Sequence, residues 1–397
     1  MNILFIGYWG INDGLTSSTI IPHLKILSQY ADVNKIIFCT IERSGDKTSL
    51  DLEKVKHVPL FAKNYGSVFI NKVNDFIRFP KVLIQICKAD KIDLLICRSS
   101  LAGALGYLVW RKNRIPYIVE SFEPHAGYMI DSGTWTFYDP RYVIQQYFEK
   151  KQKQTAKYLL PVSENYAKRL VDEKVDPEKV KTMPCCVSIR DFAFDNNRRI
   201  IQRKASGIAE DTIVGIYVGK YGDIYYDEEA FDLYKKAFLF FGEKFKLIIL
   251  SADPLSVIQL KLQERKIPLD RVLILTVPHH AVSHYLSAAD FAFSTIKPSP
   301  FRKFCSPVKN GEYWANGLPI LTEYGIGDDS DIILREGGGV LLNMSAPEQS
   351  FEEILKMVAI GRQPMAEKIQ GIAYRHRRME IVEQTYKGMI QEFLSCN

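Results

Sequence analysis

The sequence predicts an α/β protein made of two Rossmann-like, doubly wound domains. Short, almost entirely apolar runs alternate with amphipathic segments, which is the pattern of parallel strands covered by helices on both faces. This alternation occurs twice, with a polar stretch between the two series. The length of 397 residues also exceeds one ordinary domain and suits two domains of similar size.

In the first half, the apolar runs are predicted as strands, with amphipathic segments such as Ser17–Tyr30 and Leu101–Arg111 between them. The predicted strands are Ile3–Gly7, Lys35–Ile41, Leu94–Cys97, Tyr117–Glu120 and Tyr158–Pro161. The alternation pauses after Pro184, and we interpret the polar stretch Asp195–Arg199 as an interdomain linker.

A second series of strands follows, and the tail from about Pro364 to Leu394 is predicted to be helical and charged. The strands of this series are Val214–Val218, Lys246–Leu250, Val272–Leu275, Phe291–Phe293 and Pro319–Thr322. The predicted domains are residues 1–190, residues 200–375 and a C-terminal helix at 376–397 that can cross back to the first domain. Two such domains are expected to face each other across a cleft, with ligands beyond the carboxyl ends of the strands.

Composition narrows the class of partner. A net charge of +6 suits anionic partners such as sugar nucleotides or acidic lipid headgroups. Nucleic acid is not expected, because no basic stripe is interleaved with aromatic residues. Seven scattered cysteines without a CxxC pair suit reduced thiols, and the N-terminus reads as a strand rather than a signal peptide. We therefore expect a cytoplasmic protein.

One segment, 69–88, has two interpretations. Its apolar residues fall at helical spacing, basic residues flank them, and Pro80 is expected to restart the helix. The apolar residues are Phe69, Val73, Phe76, Ile77, Leu83 and Cys87, and the basic ones are Lys72, Arg78, Lys81 and Lys88. Such a helix could rest on the anionic inner face of the plasma membrane. The commoner alternative is a sheet-covering helix with a solvated basic side.

The stretch from Ser306 to Ile320 is the richest in chemistry. It predicts a loop, a short helix from about Val308 to Asn316, a glycine stop and a strand. A helix N-terminus suits a phosphate, and Lys309 in the first turn opposes the helix dipole unless an anion binds beside it. Glu312 lies on the same face and could accept two ribose hydroxyls. The alternative is an ordinary ion pair between Lys309 and Glu312 on a solvated helix.

This stretch, followed by Gly327-Asp328, resembles the donor-site signature of GT-B glycosyltransferases, particularly family 4. It has the form Ser-Pro-x-Lys-x-Gly-Glu-Tyr-x-Ala-x-Gly-x-Pro-Ile. Gly219-Lys220, Val162-Ser163 and Pro184-x-x-Val187 are similar to the same family. The resemblance implies a GT-B enzyme that moves a sugar, with retention of configuration, from a nucleoside-diphosphate sugar to a hydroxyl.

The resemblance also assigns roles. Glu312 matches the second glutamate of the family's Glu-x7-Glu motif, which holds the donor ribose; the first would fall at Phe304, so the chain departs from the motif there. Lys220 matches the basic residue that neutralises the diphosphate. The family's second basic residue is missing, and Lys309 is expected to replace it. Ser306 belongs to the same predicted donor site.

Two loops of the first half are further candidates. The loop after the first strand contains Gly14, which could approach the donor phosphates; a simple strand-to-helix turn is the alternative. The loop after Tyr117–Val119 carries Glu120 and His125, either of which could receive the acceptor's proton. We favour His125 over Glu120, with a capping or structural role as the alternative.

No metal or other cofactor is expected. Asp329-Ser330-Asp331 has the form of a metal-binding acidic pair but lacks the preceding strand, so an acidic helix start is the better interpretation. His280 and His284 are four residues apart without a third ligand, which favours a loop and helix start.

The predicted function is therefore transfer of a sugar to a saccharide or lipid-linked acceptor, in surface-polysaccharide or glycoconjugate synthesis in a bacterium. Two alternatives stay open. A non-hydrolysing nucleotide-sugar epimerase shares the two-domain cleft but needs several acids and histidines. A non-catalytic subunit that binds a sugar nucleotide or a glycan would tolerate the departure at Phe304.

Overall fold

A computed structural model describes residues 1–43 and 50–395. The chain forms two compact units. Unit 1 comprises Met1–Pro184 and the chain from Glu380 onward, and unit 2 comprises Cys185–Met379. Each unit is an α/β structure built on a six-stranded sheet.

The sheet of unit 1 is parallel throughout and has the strand order β3-β2-β1-β4-β5-β6. Its strands are β1 (Asn2–Ile6), β2 (Lys35–Glu42), β3 (Val55–Phe61), β4 (Leu94–Arg98), β5 (Tyr117–Phe122) and β6 (Tyr158–Pro161). The order reverses between β1 and β4, so the loops after these two strands diverge and leave a crevice at the carboxyl edge of the sheet.

The sheet of unit 2 repeats this plan with the order β12-β11-β10-β7-β8-β9, again parallel. Its strands are β7 (Ile213–Val218), β8 (Phe245–Leu250), β9 (Val272–Leu275), β10 (Phe291–Ser294), β11 (Ile320–Thr322) and β12 (Gly339–Leu341). The corresponding reversal lies between β7 and β10. The predicted fold class is thus confirmed: two doubly wound, Rossmann-like α/β units follow one another in the chain.

Helices connect the strands and cover both faces of each sheet. In unit 1 before Pro184 they are α1 (Ile21–Gln29), α2 (Val68–Ala89), α3 (Ser99–Asn113), α4 (His125–Asp131), α5 (Pro140–Thr155) and α6 (Glu164–Asp172). In unit 2 they are α7 (Ile189–Phe192), α8 (Asn196–Ala205), α9 (Glu228–Phe241), α10 (Leu255–Glu264), α11 (Val282–Ala288), α12 (Val308–Ala315), α13 (Asp329–Glu336), α14 (Pro347–Val358) and α15 (Arg362–His376). The last helix, α16 (Glu380–Ser395), belongs to unit 1.

The packing of unit 2 shows why its strands are mostly apolar. Val214, Ile216 and Val218 of β7 face one buried cluster, whereas Tyr217 of the same strand faces another that includes Phe231. Successive side chains of a strand point to opposite faces, so a sheet covered on both faces favours apolar residues at consecutive positions.

Several sequence-based details were wrong. Asp195–Arg199 is not a linker: the Asp195 side chain accepts from the Arg198 N–H and starts α8. Helix α2 continues through Pro80 instead of restarting. Strand β3 was missed because it is an edge strand whose lysine, histidine and proline obscure the apolar pattern. Strand β12 was missed because it has only three residues.

Within the described residues, no helix is both long enough and apolar enough to cross a bilayer.

Candidate functional site

In unit 2 three of the predicted donor residues, Ser306, Lys309 and Glu312, lie just before α12 or within it. Pro307 precedes the helix, which ends before Asn316, and Gly317 follows with φ of +71°. A Cβ on Gly317 would lie 2.3 Å from the Cα of Ala366, so only glycine fits this left-handed position. The predicted helix and its glycine stop are confirmed, and α12 is held rigidly where it meets β11.

Glu312 is the centre of this region, and its side chain is only 1% exposed. Its Oε1 accepts from Nε2 of His279 at 2.7 Å, and its Oε2 accepts from Nζ of Lys309 at 2.9 Å. Burial alone would raise the pKa of the Glu312 carboxyl, but Lys309 and the hydrogen bond from His279 hold that pKa below its usual value. The carboxylate is therefore ionised and buried. The ion pair of the alternative interpretation is present, but Glu312 does not lie on a solvated face of the helix.

The two predicted phosphate-binding lysines remain accessible. The side chain of Lys309 is 34% exposed despite its bond to Glu312. Lys220 follows β7, is 54% exposed, and pairs with Asp223 at 2.6 Å. Exposed ion pairs of this kind contribute about 0–1 kcal/mol, so an arriving phosphate can displace Asp223 at little cost.

Ser306 lies beneath α12 in a buried network. Its Oγ accepts from the backbone N–H of Cys185 at 3.0 Å and from the guanidinium of Arg377. Arg377 also pairs with Asp329, which accepts from Nδ2 of Asn310 at 2.8 Å. In the free protein these contacts brace the start of α12. Direct contact between Ser306 and a donor stays a prediction.

Phe304, which stands where the family has its first glutamate, is 2% exposed and packs in a 3-10 turn, Arg302–Phe304.

The two sequence patterns that could suggest a metal site are both helix starts. Asp329–Glu336 is helical, so the acidic helix start is confirmed, as is the turn and helix start around His280 and His284. Among the residues that the structure describes, no group of three or more histidines, cysteines or acids is placed to hold a metal ion.

In unit 1 the loops after β1, β4 and β5 surround a cavity of about 300 Å³. It is lined by Tyr8, Trp9, Arg43, Ser99, Ser100, Leu101, Ser121, Glu123 and His125. Aromatic faces beside hydroxyl and charged groups are a combination that suits a sugar ring.

Two serines of this cavity have strained backbones. Ser99 and Ser121 have φ of +81° and +49°, in the left-handed region of the backbone that residues other than glycine rarely adopt. Ser121 is also the irregular residue between Glu120 and Phe122 in the pairing of β5 with β6. Bulges and left-handed residues redirect the chain at functional sites. Ser121 directly follows the predicted strand Tyr117–Glu120, and Ser99 lies two residues after the predicted strand Leu94–Cys97; these positions were the signal by which sequence reasoning could have found them.

His125 starts α4 and lines the cavity. Its ring makes an edge contact with Trp135, with centroids 5.7 Å apart. Burial, assisted by the charge of Lys72, lowers the pKa of His125 to about 4. The imidazole is therefore neutral at pH 7, able to exchange hydrogen bonds with a sugar but weak as a base.

Glu120 does not join His125, because its side chain is completely buried. Its carboxylate accepts from Arg98 at 3.3 Å and from the Tyr386 hydroxyl of α16, and it lies 3.4 Å from Nδ1 of His23. Burial would raise the pKa of Glu120, but His23 and Arg98 lower it. This enclosed carboxylate does not line the cavity, so the structure does not bring Glu120 together with His125, and a catalytic role for Glu120 stays a prediction.

Gly14 lies on the surface, where a Cβ would meet no atom within 4 Å. A π-helical turn, Thr16–Ile20, follows it, and such turns are frequent at functional sites. The same loop is fixed by Glu42, which accepts from the N–H of Ile11 at 2.9 Å and lies 2.6 Å from where a Cβ on Gly10 would stand. Contact between Gly14 and a phosphate stays a prediction.

The whole chain also resembles solved structures. It aligns with sucrose-phosphate synthase from Thermosynechococcus elongatus over 100% of both chains, at 13% identity and a TM-score of 0.79. With HepE from Anabaena, solved with UDP-glucose, it shares 13% identity over 99% of this chain and 100% of that chain, with a TM-score of 0.73. With a Listeria monocytogenes protein proposed to be a UDP-N-acetylglucosamine 2-epimerase, it shares 11% identity over 99% of this chain and 97% of that chain, with a TM-score of 0.66.

The chain has the GT-B fold. No protein-family model and no curated protein sequence matches it. At these identities the likeness establishes the GT-B architecture alone, and the case for an activity rests on the residues of each unit.

Proposed function

We propose that this protein is a glycosyltransferase that uses a nucleoside-diphosphate sugar and a hydroxyl acceptor. The observation that carries the proposal is Glu312, an ionised and buried carboxylate at the first turns of α12, held by Lys309 and His279. Both of its oxygens are bonded to side chains that keep some exposure, so a ribose with two hydroxyls can replace them. Proteins of the same fold include one solved with UDP-glucose.

The phosphates are expected to bind beside this carboxylate. Lys309 and Lys220 supply positive charge, and the N–H groups at the start of α12 add the helix dipole. Negative charge develops on the departing diphosphate during transfer, and groups fixed in advance around it lower the barrier.

In the reaction, the acceptor oxygen forms a bond to the anomeric carbon of the donor sugar. The bond from that carbon to the diphosphate oxygen breaks, and its electron pair leaves with the nucleoside diphosphate. Because the pKa of His125 is about 4, whereas a phosphate has a second pKa of about 6, the departing phosphate is the better destination for the acceptor's proton. His125 then serves to position a sugar hydroxyl. Retention of configuration remains part of the proposal.

Calorimetry with UDP and UDP-glucose tests the donor site. We expect the wild type to bind, and Glu312→Gln and Lys309→Met to bind at least tenfold more weakly. Lys204→Met removes the same charge from the exposed surface of α8 in unit 2 and should bind like the wild type. Normal binding by Lys309→Met, or equal weakening in Lys204→Met, would contradict the proposal.

Product analysis separates the activities. Consumption of UDP-glucose with release of UDP, faster when a saccharide acceptor is present, supports transfer. Interconversion of two UDP-sugars without an acceptor would instead identify an epimerase. Binding without turnover of any donor would identify a non-catalytic subunit. The feature that favours this alternative is the buried Phe304, which stands in place of the first glutamate of the Glu-x7-Glu motif.

We also propose that unit 1 contacts an anionic membrane. The apolar residues of α2 divide between two faces: Leu83 and Cys87 are buried, whereas a second row at helical spacing is exposed. This row is Ile70, Val73 and Ile77, and α5, joined to α2 by stacked Phe76 and Phe148, adds exposed Val143, Ile144 and Tyr147. Basic residues of both helices accompany these rows, which is the combination that binds anionic lipid surfaces.

Vesicle sedimentation tests the membrane contact. We expect binding to phosphatidylglycerol vesicles and little binding to phosphatidylcholine vesicles, with a marked loss in Ile77→Ser. Leu239→Ser changes an apolar residue of unit 2 that is even more exposed than Ile77, and it should have no effect. Equal binding of Ile77→Ser and the wild type would contradict the contact.

A further inference from the structure

The ammonium of Lys72 in α2 has no acidic partner among the residues that the structure describes. Among the described residues it makes no ion pair or hydrogen bond, although it is partly buried. Burial lowers the pKa of Lys72, and the neighbouring guanidinium groups of Arg43 and Arg141 lower it further. The three cations thus repel one another at one place.

Aromatic rings hold these cations together. The Lys72 ammonium lies 6.0 Å from the centroid of Trp135, and the Arg141 guanidinium lies 5.5 Å from the same centroid. Trp135 in turn contacts His125, which lines the cavity. Arg43 also lines the cavity, and its guanidinium lies 5.3 Å from the centroid of the Tyr8 ring. Cation–π contacts fix the positions of the charges without neutralising them.

The acids nearby do not compensate Lys72. Asp139 binds Arg141 with both oxygens. Asp75 is buried on α2. Burial raises the pKa of its carboxyl above the usual value, although the charges of Arg78 and Arg43 act to lower that pKa. A desolvated ammonium without a counter-ion costs folding free energy, and such costs are typical of sites that a ligand completes.

We propose that Lys72, with Arg43 and Arg141, binds an anionic group, a carboxylate or a phosphate, carried by the acceptor saccharide. The inference rests on the proposed glycosyltransferase function and narrows its acceptor to an acidic or phosphorylated sugar. Tyr8 and the cavity hydroxyls of Ser99 and Ser121 would meet the sugar ring, while the cation cluster takes the charge. An acceptor hydroxyl is thereby oriented from its charged end.

Binding of simple probes tests the proposal. With UDP present to fill the donor site, glucuronic acid, glucose 6-phosphate and glucose are titrated into the wild type, Lys72→Met, Lys72→Arg and Lys81→Met. We expect the wild type to bind at least one charged sugar tenfold more tightly than glucose; the carboxylate and phosphate arms tell the two anions apart. Lys72→Met should lose this preference, Lys72→Arg should keep most of it, and Lys81→Met, an exposed lysine of the same helix, should keep all of it.

A second readout separates this role from a structural one. Without ligand, Lys72→Met should melt at a higher temperature than the wild type, because an uncompensated charge is replaced by an apolar chain of similar length. A lower melting temperature together with an unchanged preference for charged sugars would overturn the proposal. Loss of binding to phosphatidylglycerol vesicles with sugar binding intact would also overturn it, and would assign Lys72 to a lipid headgroup.

The two levels of the hypothesis fail differently. If UDP does not bind the wild type, the donor assignment fails regardless of Lys72. If UDP binds equally to the wild type and Lys72→Met while glucose binds as tightly as the charged sugars, the donor site stands and the anionic acceptor is excluded.

Discussion

The two units share one strand order but treat their charged residues differently. In unit 2, both oxygens of Glu312 are satisfied by protein groups, and the buried Arg377 is paired with Asp329. In unit 1, Glu120 is enclosed in the same manner, yet Lys72 has no acidic partner among the described residues. We propose accordingly that a ligand of unit 2 replaces the internal partners of Glu312, whereas a ligand of unit 1 supplies the negative charge beside Lys72.

The largest expected effect tests whether buried networks support both units equally. Glu120→Ala leaves Arg98 without its carboxylate partner, and removing one partner of a buried pair costs about 3–5 kcal/mol. Denaturant unfolding followed by tryptophan fluorescence reports mainly on unit 1, which contains Trp9, Trp110 and Trp135. Asp329→Ala is the counterpart in unit 2. A loss below about 1 kcal/mol for Glu120→Ala would show that the network is not a stability element.

The next effect concerns pH and unit 1. Burial raises the pKa of Glu149 to about 7, although it accepts from the N–H of Ala126 at 2.9 Å. The folded state keeps this proton above the usual pKa of 4.5, so stability falls as pH rises from 4.5 to 7. Between pH 5 and pH 8 the wild type should lose about 2–3 kcal/mol relative to Glu149→Gln. Melting curves at both values, with Glu164→Gln as a surface control, check this; parallel pH profiles would refute it.

A smaller effect tests whether the partners of Glu312 are exchanged for ligand. His279→Ala leaves Oε1 of Glu312 without its donor, which should destabilise the free protein by about 1 kcal/mol. Because bound ribose would restore that hydrogen bond, the affinity for UDP should rise about fivefold. Calorimetry on His279→Ala and on His280→Ala, its neighbour, provides the comparison. Weaker UDP binding in His279→Ala alone would mean that His279 itself holds the donor.

The smallest effect concerns strain around the cavity of unit 1. Ser121 has φ of +49°, so Ser121→Ala should be less stable than Ser121→Gly by about 1 kcal/mol. Asp223, with φ of +55° in the loop after β7, offers the same pair of substitutions in unit 2. Paired thermal melts measure both differences. Equal stability of the alanine and glycine variants at Ser121 would show that the cavity stores no backbone strain.

Apolar runs were enough to predict five of the six strands of each sheet, because strands covered on both faces are mostly apolar. Helix α12 was predictable since Pro307, the apolar face and Gly317 are local signals. The hydrogen-bond partners of the site residues could not be predicted from the sequence. His279 reaches Glu312 from 33 residues away, and Tyr386 reaches Glu120 from 266 residues away. No spacing rule encodes such pairs, and these contacts are what keep Glu120 enclosed and away from the cavity lining.

Lys72 illustrates the same limit from the other side. The sequence shows a lysine flanking an apolar helix, which is ordinary. Its significance comes from Trp135, Arg43 and Arg141, which only the folded unit brings beside it. An unpaired charge is a property of a neighbourhood and cannot be read from a single segment.

The place of α16 in unit 1 has a consequence for biosynthesis. Unit 1 is assembled from both ends of the chain, whereas unit 2 is continuous. The segment before Pro184 therefore cannot complete unit 1 until α16 has been synthesised, whereas all of unit 2 is made before α16 and can fold first. Until Tyr386 is added, the earlier segment of unit 1 carries an incomplete hydrogen-bond network at Glu120.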